Sequence, residues 1–125
     1  MVHLLFIGLG GFFGAIGRFL ITGWVHNQVG TAMPYGTLAV NVAGSFLLAL
    51  LLQGFTALPE LPPQLKSSIT IGFLGAFTTF STFSVDTLHF IEHGNWQKAL
   101  INILLNVIIC LGAAGLGLGL GKVWH

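Results

Sequence analysis

Between Gly72 and Ser84 the chain reads Gly-Phe-Leu-Gly-Ala-Phe-Thr-Thr-Phe-Ser-Thr-Phe-Ser, hydroxyls and phenyl rings set in a stretch otherwise apolar enough to cross a membrane. A spanning helix satisfies its backbone internally, so hydroxyl side chains belong there when they line a cavity, hold an ion or face another helix. Phe80 and Phe83 are three residues apart and share one side of a helix, bordered by Thr79, Ser81, Thr82 and Ser84. An aromatic ring is positive at its edge. Rings presented edge-on beside hydroxyls stabilise a small anion that has shed its water, which suits a halide. Packing against lipid or core is the default role of phenylalanine, and it stays open for both.

Other polar groups inside apolar segments join this one. Thr37, Asn41 and Ser45 recur at helical spacing and share a face. An unpaired asparagine amide is expensive in hydrocarbon, so Asn41 either aims its N–H groups at an anion or ties two helices together. Asn102, Asn106 and Cys110 form a second stripe, which lines a wet path or zips two helices. Gly72 and Gly75 precede Thr78 and Thr79, a combination that weakens a helix through glycine's backbone freedom and threonine's competing hydroxyl. An unwound turn there frees carbonyl oxygens for a cation, and two antiparallel copies meeting at this point would bring both sets together; a continuous helix with back-bonded threonines is the alternative. Arg18 is too costly to face lipid and should snorkel or pair. His89 and His93 have metal-ligand spacing but no third partner, and read as interfacial.

The elements that must position these groups follow from composition. The chain has 125 residues, 54% hydrophobic and 6% charged, with a mean hydropathy of +0.92, so it is read as an integral membrane protein. A spanning helix takes about 20 apolar residues. The sequence predicts one all-α transmembrane domain over residues 1–125, with spans near 4–25, 35–55, 65–90 and 96–123, the third broken near its middle. Pro34, then Pro59, Pro62 and Pro63, then Gly94-Asn95 mark the connections. The N-terminus lacks the basic start and cleavage site of a secretory signal, so the first apolar stretch reads as a retained span.

A net charge of +1 gives no footprint for nucleic acid, and the single cysteine excludes an intrachain disulfide. Short connections make neighbouring spans antiparallel. Lys66 and Lys122 then fall on the side of the termini, against Arg18 and Lys98 on the other. An even Lys/Arg split predicts insertion in both orientations, which allows an antiparallel pair of copies about an axis in the membrane plane; the alternative is that Arg18, inside the span, does not count and one orientation wins. Gly10, Gly14 and Gly17 in the first span and Gly115, Gly117, Gly119 and Gly121 in the fourth mark close helix contacts.

Three stretches in register, Gly11 to Phe19, Gly36 to Ser45 and Gly72 to Ser84, closely resemble the Fluc (CrcB) fluoride channels of bacteria. The likeness covers essentially the whole chain. It implies a dual-topology homodimer in the bacterial inner membrane with two fluoride pathways and a structural sodium ion at its centre, exporting fluoride passively and giving fluoride resistance. By position, Phe80 and Phe83 resemble the family's fluoride-contacting rings and Asn41 its pore-lining amide. Thr37, Ser81 and Thr82 extend the polar path, Gly75 and Thr78 resemble the carbonyl ligands of sodium, and Arg18 matches the first span's arginine. The fourth span is less similar, since the family often carries a tyrosine and hydroxyls where this chain has Asn102, Asn106 and Cys110.

The rival reading, a small dual-topology proton-coupled multidrug exporter, needs a carboxylate at the centre of a span, and Glu60, Asp86 and Glu92 are not central. An intramembrane hydrolase built on Ser45 or Ser81 with His89 lacks a nucleophile-elbow pattern. The chain is therefore not read as an enzyme.

Overall fold

A computed structural model describes residues 1–123. Its helices are α1 (Val2–Val29), α2 (Tyr35–Phe55), α3 (residues 63–77), α4 (Phe80–Glu92) and α5 (Trp96–Val123). No strand occurs among the described residues. Four segments are long and apolar enough to cross a membrane: α1, α2, Pro63–Glu92 and α5. The third is two helices in line, α3 and α4, separated by an extended step at Thr78 and Thr79. The protein is a multi-pass membrane protein whose outer surface carries large exposed apolar residues such as Phe12, Leu20 and Leu116.

The ends of the helices follow their local chemistry. α1 continues past residue 25, where apolar character fades, and stops at Gly30, whose φ of 84° is open to glycine. Pro62 and Pro63 start α3, where a missing N–H costs nothing. α4 closes with Gly94 at φ 76°, Gly94 N–H donating to the Ile91 carbonyl and Asn95 N–H to the Phe90 carbonyl, the paired bonds of a Schellman end.

Close backbone approach builds the scaffold. Gly10 and Gly14 of α1 lie against the Ser68 and Phe73 carbonyls, and Gly72 of α3 against the Ile7 carbonyl. On the other side α5 meets α2 through Gly117 and Gly121, which face Phe46, Ala49, Leu50 and Gln53. Gly112, Gly115 and Gly119 face open space in the single chain. Of the glycines expected to mark helix contacts, Gly10, Gly14, Gly117 and Gly121 do so against facing backbone within one copy, and Gly17 meets the Phe77 and Phe73 rings. A small core of Val40, Leu74 and Phe77 sits between α2 and the end of α3.

Residues 68–74 and 105–109 wind more widely than an α-helix. Side chains that compete for backbone carbonyls lie at or beside both: Thr70 Oγ1 donates to the Lys66 carbonyl at 2.9 Å and Asn106 Nδ2 to the Asn102 carbonyl at 3.0 Å. Such wide turns are frequent at functional sites.

Candidate functional site

The break lies three residues beyond Gly75. Gly75 itself is helical at φ −62°, and the chain leaves the helix at Thr78 (φ −89°, ψ 159°) and Thr79 (φ −151°, ψ 112°). The sequence suggested that Gly72 and Gly75 weaken the turn. In the fold Gly72 serves close packing on α1, and the threonines carry the extended step.

Three groups stabilise that step. Thr79 caps α4: its Oγ1 accepts from Thr82 N–H at 3.2 Å and donates to Thr82 Oγ1 at 3.0 Å. Asn41 of α2 grips the Thr79 backbone from both sides, accepting its N–H on Oδ1 at 2.8 Å and donating from Nδ2 to its carbonyl at 3.1 Å. Arg18 donates from Nε to the Ala76 carbonyl at 3.0 Å, so its charge is placed at the C-terminal end of α3, where cations are favoured. Gly44 allows α2 to pass directly against the Thr78 methyl group.

These bonds redistribute the carbonyls of the broken turn. In a continuous helix Thr79 N–H would bond Gly75 and Thr82 N–H would bond Thr78; here the first goes to Asn41 and the second to Thr79 Oγ1. The Gly75 and Thr78 carbonyls are thereby released from their helical partners. The same point holds the positive N-terminal end of α4, which favours anions.

Three clefts meet along this line. The first, about 410 Å³, is bordered by Asn41, Ser45, Gly75, Thr78, Phe80 and Phe83, with Asn106 and Cys110 opposite. The second, about 310 Å³, is lined by Arg18, Thr22, His26, Thr37, Thr79 and Thr82. The third, about 360 Å³, contains His26, Thr37, Thr82, Asp86 and His89. Thr79 borders the first two clefts, and His26, Thr37 and Thr82 border the last two. A polar line therefore runs from the α1–α2 connection to the break and on into the first cleft. The stripe Thr37, Asn41, Ser45 spans it, with Thr37 on one side of Thr79 and Asn41 and Ser45 on the other.

Phe83 is buried while Phe80 is 77% exposed. Their ring centroids are 5.4 Å apart and tilted by 57°. Ser81 Oγ lies 3.3 Å from Thr79 Oγ1. His26 Nε2 accepts from Gly36 N–H at 3.1 Å, which places its proton on Nδ1 and closes the α1–α2 corner. His93 is exposed at the end of α4, and His89 faces the third cleft. Ser45 and His89 border different clefts, and Ser81 lies more than two turns from His89 on α4 with its hydroxyl at Thr79 Oγ1, so neither hydrolase pairing weighed from the sequence is assembled.

Asn41 has no idle donor: its second amide hydrogen goes to Asn106 Oδ1 at 3.2 Å. Asn102 and Asn106 are both buried and bonded to each other at 3.1 Å. The sequence left their role open between a wet path and a zipper, and in the fold they join α5 to α2 and α4. Thr79 and Thr87 were not singled out as site residues by the sequence reading. Thr79 carried a signal, a hydroxyl three residues ahead of Thr82 at the start of a helical run; Thr87 carried none, because only the fold brings it to Asn102.

With this geometry in hand, the family profile described as CrcB-like protein, Camphor Resistance (CrcB), matches residues 5–118. A protein of Syntrophotalea carbinolica named fluoride-specific ion channel FluC is 48% identical over 121 residues, covering 97% of this chain and 98% of its own. Proteins of the same name from Sulfurovum (47% over 119 residues, 95% of this chain and 93% of its own) and Magnetococcus marinus (43% over 122 residues, 98% and 99%) are similar over the same extent. Both the profile and the relatives cover all four spanning segments and the broken turn, and the chain belongs to the CrcB family.

Proposed function

We propose that this chain is a fluoride-selective channel, a transporter rather than an enzyme, that lets cytoplasmic fluoride leave passively across the bacterial inner membrane. The observation that carries the reading is the broken turn at Thr78 and Thr79, which gathers Asn41, Phe80 and Phe83 around one cleft in a chain 48% identical to a protein named fluoride-specific ion channel.

The physics of the ion sets the rest. Fluoride is small and strongly hydrated, so it crosses only where N–H, O–H and ring-edge contacts replace its water, and narrowness then rejects chloride. Thr37 and Thr82 supply hydroxyls on one side of the break, and Thr79 and Ser81 supply them at it. Asn41 meets the ion in the first cleft, where fluoride competes with Asn106 Oδ1 for an amide hydrogen. Phe83 and Phe80 offer ring edges. A negative-inside potential drives the anion outward by about 2.3 kcal/mol per 100 mV.

The working unit is an antiparallel homodimer, supported by the exposed Phe80 at the rim of the first cleft. Residues 75–78 suit a structural sodium ion, because the released Gly75 and Thr78 carbonyls are hard oxygen donors at an unwound turn. Sodium bound there would neutralise the carbonyl end of α3 and join two copies; Arg18 already satisfies the neighbouring Ala76 carbonyl.

Expression in a bacterium deprived of its own fluoride export tests the reading. Restored growth in fluoride medium is expected, and unchanged sensitivity with the protein present in the membrane would overturn it.

A further inference from the structure

A directed chain of hydrogen bonds leaves Thr79, the N-cap of α4, crosses two other helices, returns to α4 at Thr87 and ends on the Phe83 carbonyl, one turn past its start. Backbone polarity fixes its direction. Thr79 N–H is a donor and Thr79 C=O an acceptor, so Asn41 must present Oδ1 to the first and Nδ2 to the second. Its remaining amide hydrogen requires an acceptor, so Asn106 turns Oδ1 toward it. Asn106 Nδ2 is then aimed at Asn102, donating to its carbonyl at 3.0 Å and to its Oδ1 at 3.1 Å. Asn102 Nδ2 donates to Thr87 Oγ1 at 3.0 Å, and the Thr87 hydroxyl, left to donate, bonds the Phe83 carbonyl at 2.8 Å.

Every member is constrained by the one before it. Asn102 is 2% exposed, Asn106 6% and Thr87 7%, so the links among them are screened from bulk water. Bonds aligned head to tail polarise one another in a low-dielectric interior. The two ends of the chain bracket the turn that carries Phe80, Ser81, Thr82 and Phe83.

We propose that Asn102, Asn106 and Thr87 form a positioning relay that sets the placement of the Phe83 ring and the first turn of α4 for anion passage. They act through Asn41 and the Phe83 backbone and touch no ion themselves. The inference deepens the channel reading and rests on it. An amide both accepts and donates through rigidly separated atoms, so two in series carry the direction of the chain from α2 to α4.

The test uses the full chain reconstituted in liposomes, comparing the parent with Thr87→Val, which removes both hydroxyl bonds at nearly constant volume, and Thr87→Ser, which keeps them. Fluoride efflux per reconstituted protein, chloride efflux and thermal melting are read together. Thr87→Val should lower fluoride efflux about tenfold, the change that about 1.4 kcal/mol produces, and should raise the chloride-to-fluoride ratio, while Thr87→Ser stays near the parent. A Thr87→Val protein that melts earlier but conducts with the parent's rate and selectivity would show a purely structural role and overturn the relay. Should Thr87→Val fail to assemble, Asn102→Ser, too short to reach Thr87, cuts the same link with the same expectation. A parent that releases no fluoride overturns the channel reading itself, and the relay with it; a conducting parent with indifferent variants overturns the relay alone.

Discussion

The two halves of the broken third span are held in contrasting ways. Residues 63–77 touch α1 backbone to backbone, through Gly10, Gly14 and Gly72, whereas α4 is tied to α2 and α5 by amides and hydroxyls at Asn41, Asn106, Asn102 and Thr87. Close glycine contacts leave no room for any other atom. Side-chain hydrogen bonds can be exchanged, and an anion that accepts an N–H can take the place of a protein acceptor. The chain thus puts close backbone contact, supplemented by hydrogen bonds from Ser68 and Arg18, where it needs a scaffold, and a network of exchangeable side-chain bonds where an ion is proposed to pass.

The sharpest way to break this comparison is to add volume on the scaffold side. Gly14→Leu or Gly72→Leu would drive a side chain into a facing backbone carbonyl, and overpacking by at least about 3 kcal/mol is expected. Size-exclusion chromatography should show loss of the folded species; a normal monodisperse peak would mean that the α1–α3 contact is soft.

On the polar side the expectation inverts: the protein assembles and conduction suffers. Asn41→Ala leaves the Thr79 N–H, the Thr79 carbonyl and Asn106 Oδ1 without their partner, and fluoride efflux should fall about a hundredfold, the change that about 2.8 kcal/mol on the conduction barrier produces. Unchanged efflux would reduce Asn41 to a helix tie. Phe83→Ile and Phe80→Ile should each lower efflux by roughly tenfold, since ring-edge contacts contribute about 0.5–1.5 kcal/mol beyond area. Normal rates in both would remove the rings from the pathway. The smallest effect is expected from exchanging sodium for a bulky organic cation, which should lower the melting midpoint by roughly 5 °C if the released carbonyls hold the ion. An indifferent melting curve would count against that site.

The same contrast explains what the sequence disclosed. Spans, connections and the broken third helix were legible because hydropathy, proline and the Thr78-Thr79 pair act locally. The stripe of Thr37, Asn41 and Ser45 was legible as a face, but not that Thr79 divides it between clefts. Arg18 was recognisable as needing a partner, yet the Ala76 carbonyl that satisfies it lies 58 residues away. The relay through Asn102 to Thr87 was hidden for the same reason, since spacing within one helix says nothing about which neighbour an amide meets. Gly72 misled in a different way: its local freedom suggested a break, and tertiary packing on α1 assigned it to contact instead.

The account turns on fluoride passing the break between α3 and α4. Liposomes loaded with both halides and carrying the purified chain, read with ion-selective electrodes, test this directly. Rapid fluoride release with chloride retained is expected, with fluoride release falling about a hundredfold in Asn41→Ala; vesicles that hold fluoride as tightly as protein-free controls would contradict it.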